Sequence, residues 1–215
     1  MQPIQKQMWG ASLATAAILL VALLVYAFIY HGAAGLLAIS QAVAGAAGFL
    51  IGISFLLGPL AYFYKPVSLT VAYRKYIGLT GFWLALAYSV LLMFVDSDTY
   101  YANLFANVDS AEVLLGLIAI AILAFMALIS NQWGIRLLGP KRWRWGLRLG
   151  YIAYTLLVVR GYLLEKNIWH DWIVGATGGL PPPRLILTLF ALSVMLLRIV
   201  VMIQKKWKKE RLQSG

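Results

Sequence analysis

The sequence predicts an all-α integral membrane bundle of six helices, N-in and C-in, on three observations. Of 215 residues, 62% are hydrophobic and 12% charged, against roughly 45–50% and about 25% in soluble domains. The apolar residues gather in runs of about 20, the length that crosses a ~30 Å hydrocarbon core. The basic residues collect between alternate runs, the bias that orients membrane helices. No stretch between runs has room for a soluble domain, so residues 1–215 read as one membrane domain.

The elements follow in order. No Lys, Arg, Asp or Glu occurs between Lys6 and Lys65. One span needs only about 20 residues, so this stretch holds two helices, 9–30 and 40–62, broken at His31-Gly32. Pro66 stands just past the second and cannot continue it. Helix 3, residues 76–95, lies between Arg74-Lys75 and Asp96-Ser97-Asp98. A polar-aromatic loop, 99–108, leads to Asp109 and Glu112, whose side chains suit exposed backbone N–H groups at a helix start. Helix 4 is then 111–132. Gly139 to Arg144 predicts a turn before helix 5, residues 146–164, which carries Arg148 and Arg160. Pro181-Pro182-Pro183 gives a stiff entry to helix 6, residues 184–204, and 205–215 form a basic, frayed cytoplasmic tail. The first apolar run outlasts the 7–15 residues usual in a signal peptide, so it reads as a retained helix.

Six spans put the N-terminus, loops 2–3 and 4–5 and the C-terminus on one side. That side and its helix ends hold every Lys and Arg except Arg160, Lys166 and Arg184, while every acid except Glu210 falls on the other. Five or seven spans would scramble this separation. Trp9, Trp133, Trp143, Trp145 and Trp207 fall at the inner interface and Trp169 and Trp172 at the outer one; only Trp83 is mid-span. The localisation implied is the plasma (inner) membrane, multi-pass, with both termini cytoplasmic.

Composition also excludes chemistry. There is no cysteine, hence no disulfide, thiolate metal site or cysteine nucleophile. The net charge of +11 is accounted for by membrane orientation, so nucleic acid is not a partner. No phosphate-binding glycine loop, zinc motif or nucleophile elbow is present, and no catalytic residue or metal site is assigned.

Several patterns carry a resemblance. Leu138-Gly139-Pro140-Lys141-Arg142-Trp143 is followed by Arg148-Leu149-Gly150-Tyr151-Ile152-Ala153-Tyr154. Helix 3 opens Arg74-Lys75-Tyr76-Ile77-Gly78-Leu79; Gly58-Pro59-Leu60 ends helix 2, Leu115-Gly116-Leu117 opens helix 4, and Arg198 stands near the end of helix 6. Together these resemble the ferric reductase-like transmembrane domain family, and within it bacterial members similar to the haem-binding membrane subunit of the methionine sulfoxide reductase system. The resemblance covers helices 2 to 6. It implies b-type haem held by histidines on helices 3 and 5 and electrons carried across the membrane. Here the ligand positions fall on Tyr88, Leu147 and Arg160, a degenerate haem site, so no cofactor is predicted. The two histidines, His31 and His170, fall in predicted outer loops, about 15 Å or more from the midplane.

Arg160 is the sharpest functional feature, because an ionisable group inside a span normally faces protein, water or a partner. It lies about 18 Å along its helix from Arg148, and Tyr88 about 21 Å from Arg74 on a helix running the same way. The pair should share a depth. One reading has Arg160 contact Tyr88 by a cation–π or hydrogen bond in a vacated haem site. The other has it snorkel outward or meet Glu165, Asp96 or Asp98. The cluster from Lys141 to Arg148 is either a docking face for a cytosolic or membrane protein or for anionic lipid, or a plain interfacial anchor. Gly48-x-x-x-Gly52 marks either oligomerisation or packing within the monomer.

The leading expectation is a haem-free member of the resembled family, a scaffold, assembly or binding partner in the lipid bilayer. The alternative is a membrane electron-transfer oxidoreductase subunit with atypical ligands such as Tyr88, Met93 or Met126. A transporter ranks third, since Arg160 is the only deeply placed charge.

Overall fold

A computed structural model describes residues 3–32, 35–95, 110–176 and 179–213. Its helices are α1 (Pro3–His31), α2 (Leu36–Phe63), α3 (Arg74–Val95), α4 (Ala111–Ile129), α5 (Gln132–Ile173) and α6 (Pro183–Gln213), with a 3₁₀ segment at Lys65–Tyr73 before α3. Six stretches are long and apolar enough to cross a membrane. Several large apolar side chains of α1, among them Leu13, Ile18, Val21 and Ile29, are more than half exposed, as lipid-facing residues must be.

The helices alternate in direction, so one end of the bundle carries the starts of α1, α3 and α5 with the ends of α2, α4 and α6, and the other carries the reverse. We call these the terminal end and the far end. α2 is the hub: half of its apolar window is buried, against 17–22% for the other spans. Its small residues explain this, because small side chains let membrane helices approach closely. A Cβ on Gly81 of α3 would stand 3.1 Å from the Ile51 backbone nitrogen, and one on Gly48 would stand 2.7 Å from Leu187 of α6. A Cβ on Gly52 would meet the Tyr154 hydroxyl of α5 and, at 2.5 Å, Phe190 of α6. The Gly48/Gly52 pair therefore packs helices within the monomer. One apolar cluster joins α2, α4, α5 and α6 through Ile51, Phe55, Ala119, Leu123, Tyr154 and Val194, and a smaller one joins Ala16, Leu50 and Ile77 of α1, α2 and α3. A buried Ser12–Thr80 hydrogen bond of 2.7 Å ties α1 to α3.

The helices overrun the expected spans. α1 starts at Pro3 because proline is tolerated in a first helical turn. It ends at His31, which therefore sits in its last turn and not in a loop; Gly32 follows with φ 68° and its N–H donates to the Phe28 carbonyl, a left-handed cap that glycine adopts at no steric cost. α4 stops at Ile129 instead of 132, since Asn131 caps α5 by accepting from the Gly134 N–H at 2.8 Å. The expected Gly139–Arg144 turn is a break at one residue. Gly139 has φ 71° and ψ 160°, Pro140 suits the first turn of the resumed helix, and Lys141 to Arg144 are helical. α5 runs on to Ile173, so His170 sits in its last turn and not in a loop. The tail is helical to Gln213 rather than frayed, as Lys, Glu, Arg and Gln are strong helix formers. Ser110 flanks α4 with no side-chain cap bond; Asp109, Asp96, Asp98 and the whole polar-aromatic loop 99–108 lie outside the described residues.

Candidate functional site

Two cavities lie between the helices, one toward each end. The far-end cavity, about 150 Å³, is lined by residues of α1, α2, α3, α5 and α6, among them Tyr26, Gln41, Tyr88, Tyr154 and Arg160. Tyr154 is buried and its hydroxyl donates to the Gly48 carbonyl at 3.0 Å. Tyr88 and Arg160 thus share a cavity, but the expected direct contact between them is not among the interactions of the described residues. The Arg160 Nε donates instead to the Glu112 carbonyl of α4 at 2.9 Å. Gly116 makes room for it: a Cβ there would stand 2.9 Å from that nitrogen. A helical Leu or Ala at 116 would fill the notch. Nor does Arg160 meet Glu165, whose carboxylate pairs with Arg184 at 2.9 Å while also accepting from the Trp169 indole N–H at 3.2 Å.

The terminal-end cavity is larger, about 560 Å³, and its floor and walls differ in character. Phe55, Phe82, Leu123 and Met126 supply apolar surface, while Arg74, Lys75, Arg144, Arg148 and Arg198 supply cations. No Asp or Glu lines it among the described residues. Phe55 and Tyr151 stack with ring centroids 4.7 Å apart. The Arg74 guanidinium lies 5.9 Å from the Phe55 centroid and that of Arg198 lies 5.3 Å from the Tyr151 centroid, within cation–π range. Gly58 leaves space for the first, since a Cβ there would stand 3.2 Å from Arg74 Nη1. Ser54 holds the start of α3 by donating to the Arg74 carbonyl at 2.9 Å. The Tyr151 hydroxyl is buried with no hydrogen-bond partner among the described residues. Leu147, from the basic cluster just past the Gly139 break in α5, lines this cavity too.

Leu147 and Arg160, on one helix, therefore address different cavities, and Tyr88 shares the second with Arg160. The histidines address neither as lining residues. His31 is exposed and its Nε2 donates to Gln41 Oε1 at 2.7 Å; His170 is exposed at the end of α5. Among the described residues no group of three His, Cys, Asp or Glu is arranged to hold a metal ion. The sequence did not reveal that Arg74, Arg148 and Arg198, each named for a separate motif, converge on one cavity.

No family model matches the chain. It is 30% identical over 99 residues to the protein-methionine-sulfoxide reductase heme-binding subunit MsrQ of Agrobacterium fabrum, covering 46% of each chain. It is 32% identical over 98 residues to the MsrQ of Brucella ovis, covering 45% of this chain and 44% of that one. The match spans just under half the length of these curated relatives, and what it supports is a multi-pass membrane protein similar to MsrQ heme-binding subunits.

Proposed function

We propose that this chain is a haem-free relative of the ferric reductase-like membrane bundle, acting as a binding or assembly subunit in the inner membrane with its terminal end toward the cytoplasm. The orientation rests on the Lys/Arg bias. The haem-free reading rests on the donor set. Haem iron takes an axial imidazole, thiolate, thioether or phenolate. At the three positions where the resemblance expects imidazoles stand Tyr88, Leu147 and Arg160. Leucine has no donor atom, and a guanidinium stays protonated. The remaining oxygen and sulfur donors are Tyr26, Tyr88 and Tyr154 in one cavity and Met126 and Tyr151 in the other; Tyr26 and Tyr154 spend their hydroxyls on the Pro181 and Gly48 carbonyls, which leaves Tyr88 without a second free donor in its cavity. The residues present do not fit the group.

The single observation that carries this reading is Leu147 and Arg160 on one helix, each lining its own cavity with nothing to offer iron. The test is haem extraction from the full chain purified out of a haem-replete host. Far less than one haem per chain is expected. A stoichiometric yield would restore the electron-transfer reading, with Tyr88 or Met126 as atypical ligands.

A further inference from the structure

We infer that the terminal-end cavity binds the phosphate headgroup of an anionic phospholipid, with Arg74 and Arg198 as its inner clasp. This rests on the haem-free reading, because Leu147 lines the same cavity.

The charge balance comes first. Five cations line one space of about 560 Å³ with no lining carboxylate. Neither of the two ion pairs among the described residues, Arg184–Glu165 and Lys206–Glu210, includes any of the five. Like charges so gathered repel one another, and no carboxylate among the described lining residues neutralises them. The second observation is unspent hydrogen-bonding capacity. Arg74 and Arg198 are half-buried, each against an aromatic ring. Neither guanidinium donates to a protein acceptor among the described residues, although each carries five N–H donors in a fork that matches phosphate oxygens. The buried Tyr151 hydroxyl also lacks a partner among those residues. Two guanidiniums with unspent donors thus line one basic, half-enclosed volume whose size is ordinary for a ligand site, and the buried Tyr151 hydroxyl lies beside them.

The remaining question is which phosphate. The floor of Phe55, Phe82, Leu123 and Met126 is apolar, and the cavity lies between spanning helices at the end where they gather basic side chains. Basic pockets of this kind between membrane helices take anionic headgroups. The exposed Lys75, Arg144 and Arg148 form its rim. An inorganic phosphate would use the clasp and leave the apolar floor uncovered; a phospholipid uses both.

The test uses the full chain in phosphatidylcholine nanodiscs containing about one-tenth phosphatidylglycerol, read by native mass spectrometry and by thermal unfolding. One phosphatidylglycerol per chain is expected to survive delipidation, with a raised Tm relative to pure phosphatidylcholine. Retention should fall roughly tenfold in Arg74→Gln and Arg198→Gln, the scale of losing a charge-assisted hydrogen bond. Tyr151→Phe keeps the stacked ring and should fold normally, yet lose retention by a few-fold, the scale of one neutral hydrogen bond. Lys206→Gln with Lys208→Gln, on the solvated end of α6, should leave retention unchanged. Retention indifferent to all three cavity variants overturns the proposal. So does inorganic phosphate in pure phosphatidylcholine raising Tm as much as phosphatidylglycerol does, which would make the site one for a free anion. An absorbance spectrum of the same sample separates the failures. A haem band sinks the haem-free reading, whereas a flat spectrum without retained lipid sinks this inference alone.

Discussion

Gly52→Ala should destabilise the bundle by about 2–4 kcal/mol without changing its oligomeric state. The added methyl would stand 2.5 Å from Phe190 Cε1 and press on the Tyr154 hydroxyl. Both rings are packed from behind: Tyr154 is 2% exposed and its ring touches Phe55, and Phe190 packs against Phe49. Overpacking of this kind costs about 1–3 kcal/mol. Displacing Tyr154 also stretches its 3.0 Å hydrogen bond to the Gly48 carbonyl, worth a further ~0.5–1.5 kcal/mol. The assay is reversible unfolding in mixed micelles, titrated with denaturing detergent and followed by circular dichroism, beside a size measurement in mild detergent. Gly10→Ala is the control, since a Cβ there meets nothing within 4 Å. Tyr154→Phe combined with Gly52→Ala should recover part of the loss, because the clash shrinks when the oxygen is removed. If Gly52→Ala costs no more than Gly10→Ala, or instead converts a dimer to a monomer at constant stability, the assignment of the glycine pair to internal packing is wrong.

Other expectations are as concrete. Gly116→Ala should push Arg160 off the Glu112 carbonyl and lower stability by about 1–3 kcal/mol, while Arg160→Leu in that background should cost little more, a coupling that a double-mutant cycle reads directly. Glu165→Gln leaves Arg184 without its 2.9 Å partner; since Arg184 is one-third exposed, solvent limits the cost to about 1–2 kcal/mol, and Arg184→Gln with Glu165→Gln should be less destabilising than the sum. Gly139→Ala places a side chain at φ 71° and should cost about 1 kcal/mol, with the thermal unfolding midpoint as the readout.

The six spans were legible because the hydrocarbon core imposes a length and a composition on each apolar run. Their ends were not, since hydropathy registers the membrane and not the helix. Glu165 and Lys166 continue α5 past the apolar run, and Lys205 to Arg211 continue α6, because polar residues with good helix propensity keep the backbone helical in water. At Gly139-Pro140 the break was visible but not its size: one positive φ at glycine suffices, and proline starts the next turn. The depth of Arg160 and Tyr88 followed from helix rise, and both do line one cavity. Their contact did not follow, because helix rise fixes height and not which neighbour a side chain faces. The Glu112 carbonyl and the notch at Gly116 took the guanidinium. The basic cavity was the least legible feature. Arg74, Arg148 and Arg198 belong to three helices, and only packing brings them around Tyr151.

The central claim is that the interior of this bundle gives iron no adequate ligand pair. A dithionite-reduced minus air-oxidised absorbance spectrum of native membranes, normalised to the amount of this chain, tests it most directly, because anything a neighbouring protein would donate is then still in place. The account predicts no haem difference band scaling with the chain. A band at about one haem per chain that disappears on Tyr88→Phe or Met126→Leu would contradict it.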